Sequence, residues 1–174
     1  MIDNFLSHND EMLTGCFQFE YRLSRCPELS LGLFSIPVLE EDQPTKPPRT
    51  LIAHVVASRT SSPNVTDKSM ELPQNWKQER VSIEDGQVVG HEDWGSTIVI
   101  HSLGVLPVHQ GKRVGSTLMK AYINRIKEAG IADRIAIICH EHLVPFYTSL
   151  GFENQGPSQC KFGGGGWLDL VCYR

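Results

Sequence analysis

The fold is decided by residues 97–116, which read TIVIHSLGVLPVHQGKRVGS. Residues Thr97–Val105 form an apolar, β-branched run, which predicts a buried strand. A turn at Leu106–His109 follows, and Gln110–Ser116 is a glycine-containing loop that continues into a helical pattern. Such a loop points free backbone N–H groups at an anion, and the helix N-terminus adds partial positive charge. The stretch therefore predicts a phosphate-binding layout, although a glycine-containing turn before a helix is more often only a turn.

The pattern after this loop predicts one long helix, one strand and one short helix. Within Ser116–Ala129 the apolar residues recur at helical spacing, so we expect them to form the face that packs on the core. These face residues are Leu118, Met119, Tyr122, Ile123 and Ile126. Gly130 is suited to end the helix. Ile135–Cys139 then predicts a strand, and Leu143–Leu150 predicts a short helix.

The flanking segments predict further strands of the same sheet. Glu40–Arg49 is charged and contains prolines, so we expect an exposed loop between two short strands. Trp76 and Trp94 are expected to be packing anchors. The expected elements are a helix at Cys16–Leu23, strands at Leu31–Val38 and Leu51–Ser58, a short helix at Thr66–Leu72, and last strands at Phe152 and Trp167–Val171.

A single domain is expected to span residues 1–174, because this length suffices for one core. Strands that alternate with helices indicate a mixed α/β sheet. Ligands in such sheets bind where neighbouring strands diverge at their carboxyl ends, which here lies between the strand ends near Val105 and Cys139. Met1–Phe19 is polar and weakly patterned, so we expect residues 1–19 to be an atypical N-terminal arm.

The composition argues against several classes of function. The formal charge of −4 and the pI near 6.0 are not those of a general nucleic-acid-binding protein. No apolar run is long enough to cross a bilayer, and no basic region followed by an apolar run marks a signal peptide. The five cysteines are scattered and odd in number, which does not indicate a disulfide framework. We therefore expect a cytoplasmic protein without nucleic-acid or membrane partners.

Three segments together resemble the GCN5-related N-acetyltransferase (GNAT) family, over a region from about Glu20 to the C-terminus. The family pattern is Gln or Arg, two residues, Gly, one residue, then Gly or Ala. Gln110 and Gly115 match it, and Arg113 replaces its first glycine. The other two segments are CPELSLG at residues 26–32 and LVPFYTSLGF at residues 143–152. Both are similar to arylalkylamine (serotonin) N-acetyltransferases and their fungal polyamine-acetylating relatives.

This resemblance implies a mixed α/β (α+β) fold of the GNAT type. Its sheet would be mostly antiparallel, with splayed central strands flanked by helices. The family's N-terminal strand can be missing here, because Met1–Phe19 is too short and too polar for both a strand and a helix. Acetyl-CoA is implied as co-substrate, without a metal.

The resemblance also implies roles for individual residues. His101 falls where these enzymes carry a catalytic histidine, while Val99 occupies the position of a second one. Tyr147 matches a tyrosine that protonates the thiolate leaving group. Cofactor contacts are implied for Leu103, Gly104, Val105, Gln110, Gly111, Lys112, Arg113, Val114, Gly115 and Ser116. The first three would offer backbone groups to the pantetheine arm, which requires an unpaired strand edge, and the Val105 N–H would steady the oxyanion.

The residues alone leave other interpretations open. A histidine inside a strand is more often a core residue bonded to a neighbour, and a tyrosine beside Phe146 more often packs as an aromatic. His140, Glu141 and His142 resemble metal ligands, but no further ligand lies nearby in sequence, so we expect no metal. The family implies acetyl transfer to a small-molecule primary amine, an arylalkylamine or a polyamine, by a monomer or homodimer. The alternatives are a CoA-binding protein with little catalysis, and an acetyltransferase for protein lysines or N-termini.

Overall fold

The computed structural model describes residues 15–36 and 48–174, so most of the expected arm (1–19) and loop (Glu40–Arg49) lies outside the described residues. The strands are β1 (Leu31–Ser35), β2 (Thr50–Thr60), β3 (Ser82–Glu84), β4 (Gln87–Val89), β5 (Thr97–Val105), β6 (Arg134–Cys139), β7 (Glu153–Pro157) and β8 (Leu168–Tyr173). The helices are α1 (residues 15–25), α2 (Asp67–Met70), α3 (Val114–Ala129) and α4 (Val144–Thr148). Every helix and strand predicted within the described residues is present, with small shifts at the ends.

Six of these strands form one sheet in the order β1-β2-β5-β6-β8-β7. β5 and β6 are parallel, and the other neighbouring pairs described in this sheet are antiparallel. The β5–β6 pairing runs from Thr97 opposite Arg134 to Val99 opposite Ala136 and stops there. Both strands continue beyond that point without pairing to each other. The predicted mixed, mostly antiparallel sheet with splayed central strands is confirmed.

Helices cover both faces of the sheet. Because successive side chains of a strand point to opposite faces, Ile98 and Val99 of β5 belong to two different apolar clusters. The larger cluster lies under α3 and α4, and the smaller one includes Met70 of α2. α1 lies on the α2 side, where Arg22 donates a hydrogen bond of 2.9 Å to the Met70 carbonyl. The sheet therefore separates an α3 side from an α1 side.

The predicted apolar face of α3 is confirmed, since all five of its residues are buried. Gly130 ends the helix with φ of 62°, in the left-handed region that glycine adopts without strain. Buried Tyr122 donates a hydrogen bond of 2.8 Å to the Leu29 carbonyl. On the next helical turn, Arg125 donates to the carbonyls of Glu28 and Ser30. The CPELS segment therefore fastens α3 to the beginning of β1.

A β-bulge interrupts β5 at His101. Val56 and Ala57 are consecutive in β2, and they pair with Ser102 and Ile100 of β5. His101, which lies between these two β5 residues, is therefore the extra residue. A bulge lets one strand carry an additional residue while the ladder resumes on either side. The extra residue lies next to the point where β5 leaves β6.

Two features of the middle of the chain differ from the sequence prediction. Strands β3 and β4 form a hairpin that was not predicted, although its turn, Asp85-Gly86, has positive φ at both residues and is a strong hairpin signal. Trp76 is a packing residue, with its ring 5.7 Å from that of Tyr21. The prediction for Trp94 was wrong: this side chain is 94% exposed, in a turn whose Gly95 backbone packs against Thr60 instead. None of the described helices combines the length and the apolar character that a membrane span requires.

Candidate active site

An open cleft of about 630 Å³ lies on the α3 side of the splay, and we call it the α3 cleft. Its walls come from the end of β5, the loop before α3, and α4. The lining residues are Leu103, Val105, His109, Gln110, Gly111, Arg113, Val114, Gly115, Ser116, Leu143, Phe146 and Tyr147. The predicted cofactor residues are thus brought together, except that Gly104 lines a neighbouring cavity and Lys112 is exposed outside the cleft.

The loop before α3 presents its backbone to the cleft. Gly111 and Arg113 both have positive φ, 70° and 61°. Arg113 is the N-cap of α3, and no side chain caps the helix by a hydrogen bond among the described residues. The first N–H groups of α3 are therefore available to an acceptor, and the helix has no acidic residue in its first turn. Backbone N–H groups alone could therefore bind a diphosphate here, without a dedicated side chain.

The free edge of β5 forms the other wall. The Leu106 N–H donates to the Ile52 carbonyl of β2 at 2.9 Å. Because backbone groups of successive strand residues point to alternate edges, those of Val105 and Leu103 point away from β2, toward the splay. The Val105 carbonyl accepts a hydrogen bond of 3.0 Å from the Gln110 side chain, which ties the loop to the strand. The N–H of Val105 likewise points toward the splay.

Tyr147 lies at the inner end of the α3 cleft. Its side chain is buried between Phe146 and Phe152, whose ring centroids lie 5.0 and 5.6 Å from its own in edge-on geometry. Burial raises the pKa of Tyr147 to about 12, with a smaller contribution from Cys139. The phenol is therefore protonated at neutral pH and can donate a proton. Tyr147 therefore both packs against its aromatic neighbours and lines the α3 cleft.

His101 lines a different cavity, of about 150 Å³, which we call the α1 cavity. Its lining residues are Gly15, Gln18, Phe19, Arg22, Val56, His101 and Ser102. The Nε2 atom of His101 lies 2.8 Å from the Ser58 hydroxyl, whereas its buried Nδ1 has no hydrogen-bond partner among the described residues. The bulge places His101 and Ser102 on the same cavity wall.

A buried guanidinium sets the electrostatics of the α1 cavity. Arg22 is only 2% exposed and donates to Gln18 and to the Met70 carbonyl, but it pairs with no carboxylate among the described residues. Burial lowers the pKa of Arg22 to about 10, so it stays charged at neutral pH. Burial lowers the pKa of His101 well below its usual range, and Arg22 and His91 add to the effect. His101 is therefore neutral at pH 7 and able to accept a proton, although the charged form is disfavoured.

The two residues with implied catalytic roles thus lie on opposite sides of the sheet. Tyr147 belongs to the cluster under α3, and His101 faces α1. A paired sheet would separate them, but β5 and β6 are unpaired beyond Val99 and Ala136. At the splay, strand pairing therefore does not separate the two sides of the sheet.

Sequence reasoning missed most of the α1 cavity. Phe19, Arg22 and Ser58 come from α1 and β2, far from His101 in sequence, and no local motif marks them.

His140, one of the candidate metal ligands, stacks on the Trp167 ring at 4.1 Å between centroids. No group of three or more His, Cys, Asp or Glu side chains that could hold a metal occurs in residues 15–36 and 48–174.

Comparison with known proteins agrees with this architecture. A family model described as "Acetyltransferase (GNAT) domain" matches residues 53–165. The serotonin N-acetyltransferases of Mesocricetus auratus and Homo sapiens are each 26% identical to this chain over 155 residues, which are 89% of this chain and 60% of those proteins. The chain therefore spans about three fifths of the length of these curated relatives.

Two solved structures share the fold at low sequence identity. The NatC complex bound to Gag peptide and CoA matches with a TM-score of 0.54 and 14% identity, over 90% of this chain and 77% of that chain. The GphF GNAT-like decarboxylase in complex with isobutyryl-CoA matches with a TM-score of 0.55 and 12% identity, over 87% and 81%. Both of those proteins were solved with CoA or an acyl-CoA bound.

Proposed function

Because this chain belongs to the GNAT acetyltransferase family, we propose that it transfers an acetyl group from acetyl-CoA to the primary amine of a small molecule. The observation that carries the proposal is the splay of β5 from β6, with the α3 cleft on one side and the α1 cavity on the other. Donor and acceptor would enter from opposite faces of the sheet and meet at the gap. Holding both reactants in one complex supplies most of the rate in such a reaction.

The α3 cleft suits the donor. The uncapped N-terminus of α3 and the positive-φ turn at Gly111 would bind the diphosphate, and exposed Lys112 and Arg113 add positive charge. The backbone groups of Leu103 and Val105 that face the splay would hold the pantetheine arm like an added strand. Acetyl-CoA, when bound, supplies a thioester whose carbonyl carbon can be attacked by an amine.

The α1 cavity suits an aromatic amine better than a polyamine. None of the described residues that line it is acidic, and the buried Arg22 guanidinium disfavours a chain with several ammonium groups. Phe19 supplies an aromatic wall. A cavity of roughly 150 Å³ holds a benzene-sized ring in another protein. The proposed acceptor class is therefore the arylalkylamines.

The proposed chemistry divides the proton transfers between the two sides. On the α1 side, the acceptor arrives as an ammonium ion and loses two protons, one before attack and one after it. Neutral His101 accepts one of them, directly or through water, and the other passes to solvent, from which Tyr147 regains its proton after CoA leaves. On the α3 side, Tyr147, which a pKa of about 12 keeps protonated at neutral pH, donates its phenolic proton to the departing thiolate. The Val105 N–H at the splay would stabilise negative charge on the carbonyl oxygen during attack. No covalent intermediate on the protein is required.

One observation favours a second candidate function, a CoA-binding protein with little catalysis. His101 is bonded to Ser58, and its environment opposes protonation, so its capacity as a base is limited. Such a protein would bind CoA through the same α3 cleft. The two candidates differ in turnover and not in cofactor affinity.

A thiol-release assay separates these functions. With acetyl-CoA as donor, the acceptors would be tryptamine, phenethylamine, spermidine and a lysine-containing peptide with a free N-terminus. We expect turnover highest with the two arylalkylamines, and a loss of about 10²-fold in His101→Gln at pH 7 with unchanged CoA binding. The matched control is His142→Gln, because His142 is exposed and lines neither cavity. CoA binding without turnover on any amine would favour the second candidate, and turnover on the peptide alone would favour a protein acetyltransferase.

A further inference from the structure

A hydrogen bond between His54 and Ser102 joins the α1 cavity to a second cavity. The Nε2 atom of His54 lies 2.9 Å from the Ser102 hydroxyl. Ser102 lines the α1 cavity beside His101, while His54 lines a cavity of about 210 Å³ at the other end of β2 and β5. Neither residue belongs to the segments that resemble the family. The pair forms a short polar connection between the two cavities.

The chain holds the His54 ring in place from three directions. Gly104 stands opposite His54 in the β2–β5 ladder, and any side chain at Gly104 would collide with the imidazole. The ring of Phe19 packs edge-on against it from α1, with 5.5 Å between centroids. Ser102 fixes one ring nitrogen. Gly104 therefore leaves room for the His54 ring, because it has no side chain.

The surroundings of His54 leave it neutral and able to accept a proton. Phe19 of α1, Gly32 of β1 and Gly104 of β5 face it, and none of these titrates. Burial alone lowers the pKa of His54, and no charged side chain among the described residues acts on it. His101, in contrast, lies in the field of Arg22. A proton is therefore accommodated more easily on His54 than on His101.

We propose that Ser102 and His54 form a proton path that carries the amine proton from the α1 cavity toward solvent. The path rests on the proposed acetyl transfer. The ammonium proton passes to the Ser102 oxygen as the hydroxyl proton passes to His54 Nε2, and the nitrogen lone pair is freed for attack. His101 accepts the second proton, which the nitrogen loses after attack. The His54 imidazolium then releases its Nδ1 proton to water in the second cavity. Serine is regenerated, and the net change is one proton moved.

The test is the pH profile of acetyl transfer to tryptamine by His54→Gln and Ser102→Ala. Glutamine can still accept the serine hydrogen bond but cannot take a proton. We expect kcat/KM to fall about 10²-fold at pH 7, with CoA affinity unchanged. The defect should shrink to less than about threefold near pH 10. The ammonium group of the substrate, like that of lysine, has a pKa of ~10, so much of the substrate is then a free amine that needs no base. His142→Gln should follow the wild type at every pH.

Each outcome decides the proposal. A loss that is the same at pH 7 and pH 10, or no loss in either variant, overturns the path while leaving acetyl transfer intact. Recovery of His54→Ala by added imidazole would support it, since a purely structural role would not respond to a free base. If His54→Gln does not fold, Ser102→Ala tests the same path from the other end. A wild-type protein that acetylates no amine overturns both the path and the proposed function.

Discussion

The α3 cleft and the α1 cavity are built in different ways. The lining residues of the cleft all come from two short continuous stretches, residues 103–116 and 143–147. The cavity is assembled from side chains of α1, β2 and β5, and a buried cation and a bulge give it its character. The difference is that short continuous stretches of chain form the α3 cleft, whereas the α1 cavity depends on side chains that distant elements hold together.

The strongest test of this contrast is to fill the α3 cleft at Gly115. A Cβ there would lie 3.5 Å from Val105 Cγ2 and 3.8 Å from Phe146 Cζ, which are ordinary contacts. Gly115→Ala should therefore fold and bind CoA, while the larger Gly115→Val should weaken CoA binding about 10- to 100-fold, since overpacking costs roughly 1–3 kcal/mol. Calorimetric titration with CoA measures this effect. Equal affinity in both variants would show that bound CoA does not pass close to Gly115.

Removing the phenol of Tyr147 should affect turnover and not binding. Tyr147→Phe keeps the packing between Phe146 and Phe152 but cannot protonate a thiolate. We expect kcat to fall about tenfold, because a thiolate leaves with less help from an acid than a poorer leaving group would need. CoA affinity should stay within about twofold of the wild-type value. Steady-state kinetics with tryptamine, together with CoA titration, separates the two quantities. A change in CoA affinity without a change in kcat would assign Tyr147 to binding only.

The α1 cavity should also be visible in the pH dependence of stability. The pKa of folded His101 is well below that of an unfolded histidine, ~6.5, so the unfolded state binds more protons at acid pH. Unfolding free energy therefore falls as the pH drops below ~6.5. We expect the wild type to lose about 1 kcal/mol more between pH 7 and 5.5 than His101→Gln does, by urea unfolding. Parallel curves for the two proteins would place His101 outside the buried environment described.

The smallest expected effect concerns the backbone of the α3 cleft. Arg113 has φ of 61°, a conformation that costs a residue with a side chain roughly 1–2 kcal/mol. Arg113→Gly should therefore be more stable than Arg113→Ala, because glycine adopts this φ without strain. The difference should be at most about 1 kcal/mol, because the more flexible unfolded state of glycine offsets part of the gain. Thermal and urea unfolding measure this difference, and both variants lose the same charge. Greater stability of the alanine variant would contradict the strained turn.

The sequence predicted most of the fold because the decisive patterns are local. The apolar face of α3 and the β-branched run of β5 each fall within one element, and periodicity identifies them. The α3 cleft was predictable for the same reason, since Gln110–Ser116 is continuous. The β3–β4 hairpin was missed, although Asp85-Gly86 is itself a local signal.

The α1 cavity could not be predicted, because it depends on which distant residues meet. Nothing near His101 in sequence indicates Ser58 or Arg22, and their contact follows from the β2–β5 register and the place of α1. His54 had no assigned role until its partner Ser102 and the space left by Gly104 were known. Register, unlike periodicity, is a property of two strands and is not written in either one alone.

The bulge at His101 has a further consequence for how this strand can change. Since His101 stands outside the β2–β5 ladder, the alternation of Ile100, Ser102 and Leu103 is the one a regular strand would have without it. If the extra residue were instead taken into the ladder, Leu103 and Val105 would turn toward α1, and this wall of the α3 cleft would be lost. The imidazole therefore belongs to the extra residue of the bulge. Replacing or even deleting His101 would leave the neighbouring side chains on the same sides of the sheet.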